Sequence, residues 1–220
     1  MALILNLETS TKNCSVSISE NGKLLVLCEL KTDGYEHAER LHQFIQWAFE
    51  ACDYELKDID AVAVGRGPGS YTGLRIGTAA AKGICFALEK PLLSMNSLEI
   101  IANYETKSEY DLIIPMIDAR RKEVYTATFD PALKCLNPTE ARILDENSFS
   151  ELKDKKILIL GDGAEKAQDI LNLPLATYRP DILPSAEFMC STIEEKFHKK
   201  QLEDLAYFEP FYLKDFVAGK

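Results

Sequence analysis

Residues 3–19, LILNLETSTKNCSVSIS, and residues 113–129, IIPMIDARRKEVYTATF, follow one plan. Each has an apolar run, an acid (Glu8 or Asp118), a short turn and a second strand-like run. A chain that repeats strand, acid, turn and strand is constrained to build two similar sheets, each with its own core. The segments that follow fit this. CSVSIS alternates Cys14, Val16 and Ile18 with Ser15, Ser17 and Ser19, the two-residue period of a strand. Asn21-Gly22 then predicts a hairpin turn into KLLVLCEL.

A helix is expected next, because Ala38, Leu41, Ile45, Ala48, Phe49 and Cys52 recur at helical spacing. A short strand AVAV, a glycine-rich loop, a helix to about Leu88 and a strand PLLSM complete the order βββαβαβ. That order predicts an α/β fold with a mixed sheet and helices packed on it. KKILILGDGAEKAQDILN reads as a strand–helix unit and SAEFMCSTIEEKFHKK as an amphipathic helix. The expected division is residues 1–104 and 105–220, with the closing segment packing back on the first lobe.

The formal charge of −10 opposes a protein that grips a nucleic-acid backbone by itself. Cys14, Cys28, Cys52, Cys85, Cys135 and Cys190 are scattered without a CxxC pair, which suits reduced thiols in the cytoplasm. The apolar runs are too short to span a bilayer, and MALILNLETS lacks the basic start of a signal peptide. His37 and His42 are not spaced to share a helix face, and His198 sits among lysines, so no metal-ligand cluster is expected.

The loop GRGPGSYTGLRIG, residues 65–77, departs from the familiar phosphate loops. No lysine follows its glycines, and the GxGxxG pattern ends in Ser70 instead. Pro68 stands where a nucleophile elbow needs glycine. Ser70 or Thr72 suits the N-cap of the following helix, and the same amides could hold an anion. Thr9, Ser10, Gly67, Gly69 and Ser70 are therefore candidate nucleotide or anion contacts, together with Glu8 and Asp118. The two acids have alternative roles: both could hold hydrated magnesium beside a nucleotide, or each could cap its own turn.

LILNLETSTKNCSVSI, HAERLHQFI, GRGPGSYTGLRIGTAAAKGICFAL and DARRKEVYTATF together closely resemble the TsaB (YeaZ) family. The match is strong over about the first 130 residues and returns at EPFYLKDF, while residues 131–205 match weakly. The resemblance implies the actin-like/Hsp70-like kinase (ASKHA) fold, made of two ribonuclease-H-like halves. It also implies a non-catalytic cytoplasmic subunit needed for threonylcarbamoyl transfer to the adenosine beside the anticodon of ANN-decoding tRNAs. The implied partners are the catalytic subunit TsaD and the ATPase TsaE, with tRNA met only through the complex and a homodimer when the chain is alone. ATP and magnesium would serve the complex, and this chain alone would bind no cofactor. Glu8 stands where the family usually has aspartate. The metal motif of TsaD, laid over SMNSLEIIA, puts Ser97 and Ile101 at its two histidines, and neither replaces an imidazole. No residue set supports proteolysis.

In the helix after the loop, Arg75, Lys82 and Glu89 form one narrow polar stripe and nearly everything else is apolar or small. Such a helix is expected to be covered on two sides, either by other parts of this chain or by a partner subunit. The expected partner interface is His37, Ala38, Leu41 and Ile45 with Tyr71, Leu74, Arg75, Thr78, Ala80 and Ala81. A different class of function is a small-molecule kinase or ATPase using Glu8 and Asp118 around magnesium-ATP.

Overall fold

The structure is a computed structural model that describes residues 2–31, 37–104 and 109–214. The chain divides into two units, one of residues 1–100 and 185–220, the other of residues 101–184. The division therefore falls at 100/101 rather than 104/105, and the chain returns to the first unit as early as Ser185. No helix among the described residues is long and apolar enough to cross a membrane.

The first unit carries β1 (Leu3–Glu8), β2 (Asn13–Glu20), β3 (Lys23–Lys31), α1 (His37–Glu50), β4 (Ala61–Gly65), α2 (Tyr71–Leu88) and β5 (Leu92–Met95). Its sheet order is β3-β2-β1-β4-β5, with β1 antiparallel to β2 and parallel to β4. Asn21 and Gly22, with φ of 52° and 73°, make the β2–β3 turn, since a two-residue hairpin needs two left-handed positions. A short helix, α3 (Ser97–Ala102), carries the chain into the second unit.

That unit holds β6 (Leu112–Asp118), β7 (Glu123–Phe129), β8 (Cys135–Ile143), β9 (Ile157–Leu160), α4 (Gly163–Ile170) and β10 (Ala176–Arg179). Its sheet order, β10-β9-β6-β7-β8, repeats the first with every strand in the corresponding place. Glu8 ends β1 and Asp118 ends β6. The two units are thus ribonuclease-H-like halves of the actin-like/Hsp70-like kinase fold. They differ at one connection. Between β3 and β4 runs the full helix α1, whereas only a 3-10 turn, Ser150–Leu152, lies between β8 and β9.

In the first unit Leu41, Phe44, Ile45 and Ala48 of α1 and Ala81 and Cys85 of α2 pack on Leu5, Leu7, Val16, Ile18, Val62 and Val64. The opposite sheet face is covered by the returning segment, a 3-10 turn at Ala186–Met189 followed by α5 (Cys190–His198). Ala186, Met189 and Ile193 pack there on Ile4, Ala61, Ala63, Leu93 and Met95. This return explains why Ser15, Ser17 and Ser19 are fully buried although they form the polar side of an alternating strand. The Ala186 amide donates to Ser15 Oγ (3.0 Å), Ser17 Oγ donates to Ala186 O (2.9 Å), and Asn6 Nδ2 donates to Ser19 Oγ (3.1 Å). Buried hydroxyls are tolerated once they are bonded.

Candidate functional site

The glycine loop is filled by the chain's own first turn. The Ser70 amide donates to Ser10 O (2.7 Å), and Thr9 Oγ1 donates to Gly73 O (2.8 Å) in the first turn of α2. A Cβ at Gly65 would collide with the Glu8 carboxyl, one at Gly69 with the Ser10 backbone, and one at Gly77 with the Thr9 hydroxyl. The glycines therefore make room for Glu8, Thr9 and Ser10. Gly67, at φ +103°, accepts the Ser97 amide through its carbonyl (2.9 Å). Of the two candidate caps, Ser70 is the N-cap, its Oγ accepting from the Gly73 amide (3.3 Å). Thr72 is exposed inside the helix.

Glu8 is fully buried and caps its own turn, Oε1 accepting from the Ser10 amide (2.5 Å). Burial raises its pKa. The Ser10 and Ser97 hydroxyls and the Ser10 and Thr9 amides pull the other way, yet Oε2 has no hydrogen bond of regular geometry. The neighbouring Cys14 thiol is pushed up to about 12, first by burial and then by the Glu8 charge. Glu8→Gln keeps the shape and cannot ionise. The wild-type chain should lose stability as pH rises through the ordinary carboxylate range, because the unfolded chain releases its proton there and the folded chain holds it until the raised pKa is passed. The melting temperature of Glu8→Gln relative to wild type should therefore climb as the pH is raised above the ordinary carboxylate range. A difference that stays constant over that rise contradicts an uncharged Glu8.

Asp118, in the second unit, is engaged in the same manner. Its Oδ1 accepts from the Arg120 amide (2.6 Å) and from Lys166 Nζ (2.6 Å). Lys166 also donates to the carbonyls of Arg121 (2.7 Å) and Glu123 (3.1 Å). Both acids cap their own turns. Glu8 is shut in a low-dielectric interior, while the exposed Asp118 is paired with Lys166 through Oδ1. Among the described residues, no three His, Cys, Asp or Glu side chains come together to hold a metal. Ser97 and Ile101, on α3, are both fully buried.

The outer face of α2 presents a different surface. Thr72, Arg75, Ala79, Gly83, Phe86 and Ala87 are exposed, Phe86 by 80%. Between α1 and α2 lies a groove of about 450 Å³ lined by His42, Ile76, Ala79, Ala80, Gly83 and Ile84. A second flank of α2 is covered by residues 203–212. Lys82 Nζ donates to Ala206 O and Phe208 O (both 3.1 Å), Phe208 is buried in the core, and Tyr212 packs on Tyr71 with ring centroids 5.1 Å apart. Lys82 is therefore an anchor for the returning chain and not part of a free polar stripe.

Of the expected interface residues, Leu41, Ile45, Leu74, Thr78 and Ala81 are buried within the first unit. Ala80 lines the groove, Arg75 is exposed and Tyr71 is half-buried. The side chains of His37 and Ala38 lie outside the described residues. His42, Ile76, Ala79, Gly83 and Ile84, which line the groove, and the exposed Phe86 were not among the expected residues. Their helical spacing was present in the sequence, but small and apolar residues surround α2 on every side and hid which face stays open.

The same plan runs through known chains. TsaB of Escherichia coli K12 is 30% identical, the match covering 99% of this chain and 96% of that one. TsaB of Haemophilus influenzae is 26% identical over 99% of this chain and 95% of that protein. The chain belongs to the TsaB (YeaZ) family. The solved structure of YeaZ from Pseudomonas aeruginosa superposes with a TM-score of 0.86 at 26% identity, covering 97% of this chain and all of that one. A family model described as "TsaD: tRNA N6-adenosine threonylcarbamoyltransferase" matches residues 33–207. This chain thus shares sequence with that transferase family.

Proposed function

We propose that this chain is a non-catalytic subunit of the assembly that makes threonylcarbamoyladenosine on tRNA. It binds and supports the transferase subunit TsaD, and the ATPase TsaE completes the assembly. The name shared by its relatives, tRNA threonylcarbamoyladenosine biosynthesis protein, supports the pathway. The observation that carries the non-catalytic role is the glycine loop filled by Glu8, Thr9 and Ser10. ATP and magnesium serve the complex, tRNA is met through it in the cytoplasm, and the groove between α1 and α2 receives the transferase subunit or, when the chain is alone, a second copy. A small-molecule kinase or ATPase would need free carboxylates at Glu8 and Asp118, and both are engaged. The test is reconstitution with and without this chain, assaying modified tRNA, and ATP hydrolysis by the chain alone. Modification should require the chain, and the chain alone should neither modify tRNA nor hydrolyse ATP. Product from this chain alone, or undiminished turnover without it, contradicts the proposal.

A further inference from the structure

The turn after Asp118 places Arg120, Arg121 and Lys122 in a row, all exposed. Among the described residues none of the three has a carboxylate within ion-pair distance, and the nearby Asp118 is paired with Lys166 instead. In a chain with a net charge of −10, three consecutive exposed cations make a local positive run.

The turn is also held in a costly shape. Arg120 and Arg121 have φ of 70° and 53°, the left-handed region that suits glycine or asparagine. Its backbone is fixed from several sides. Asp118 Oδ1 takes the Arg120 amide, the Glu123 amide donates to Arg120 O (3.1 Å), and Lys166 Nζ grips the carbonyls of Arg121 and Glu123. The corresponding turn of the first unit has Ser10 and Thr11 buried beside the glycine loop. In the second unit the same position is open, rigid and cationic.

We infer that Arg120, Arg121 and Lys122 form a preorganised contact for the phosphate backbone of the tRNA. Guanidinium groups match phosphate oxygens in paired geometry, and a turn already fixed loses little freedom on binding. This rests on the proposed function for the identity of the polyanion. It goes beyond it by giving this acidic subunit a direct contact with RNA inside the complex.

The test is tRNA binding across a salt series by the complex of this chain with its transferase and ATPase subunits. Wild type is compared with Arg120→Gln/Arg121→Gln/Lys122→Gln and with the charge-keeping Arg120→Lys/Arg121→Lys. The triple variant should elute as the same complex, raise KM for tRNA by about tenfold with kcat held, and flatten the slope of log K against log salt by roughly two. The lysine variant should keep the wild-type slope. Unchanged affinity and slope in the triple variant overturn the inference. Loss of the complex overturns it as well, because the turn would then touch protein. If the wild-type chain forms no complex, the proposed function fails separately. The turn is then read on the chain alone: protection of Lys122 from acylation by tRNA at low salt supports the contact, and no protection overturns it.

Discussion

Gly69→Ala is expected to unfold the first unit or lower its stability by about 3 kcal/mol or more. The added Cβ would overlap the carbonyl and carbonyl carbon of Ser10, which are backbone atoms and cannot swing aside as a long side chain can. The Ser10 backbone is itself fixed, because its carbonyl receives the Ser70 amide and its amide donates to Glu8. Moving it would strip a buried carboxyl of a hydrogen bond and tilt the start of α2. The control is Gly83→Ala on the same helix. A Cβ there meets nothing within 4 Å, so the better helix propensity of alanine should add up to about 1 kcal/mol, or ~2–4 °C in melting temperature. Thermal melting of both variants measures the contrast. If Gly69→Ala melts within about a degree of wild type, the loop is not filled as described.

The sheet plan was legible because Glu8 and Asp118 each close an apolar run before a turn, a pattern that survives wherever the helices pack. The span of α2 was legible for the same reason, since Ser70 marks its start and its apolar residues continue without a break to Leu88. The occupant of the glycine loop was not. Thr9 and Ser10 meet Gly77 and Gly69 only after β1 and β4 pair side by side, and no local pattern announces that pairing. Nor could the cover on α2 be read, because residues 203–212 have no periodicity and are far away in sequence. They reach α2 through Lys82 and Phe208. The missing counterpart of α1 in the second unit fell within the weakly matched stretch, where Ser150–Leu152 offers too few residues for a helical repeat.

Docking of the transferase subunit in the α1–α2 groove is tested most directly by Ala79→Glu. Ala79 is exposed and lines the groove, so a glutamate there has water to point into and should leave the fold intact. Once a partner closes over the groove, the same carboxylate is stripped of water with no cation to meet it, at a cost of about 3–5 kcal/mol. Ala81→Glu is a poor substitute, because Ala81 is fully buried and the charge would disrupt the core first. The measurement is complex formation with TsaD by size-exclusion chromatography, with circular dichroism melting as the check on folding. The account predicts an Ala79→Glu chain that melts like wild type and elutes alone, its association weakened by at least about a hundredfold. A variant that folds and binds with wild-type affinity would contradict it.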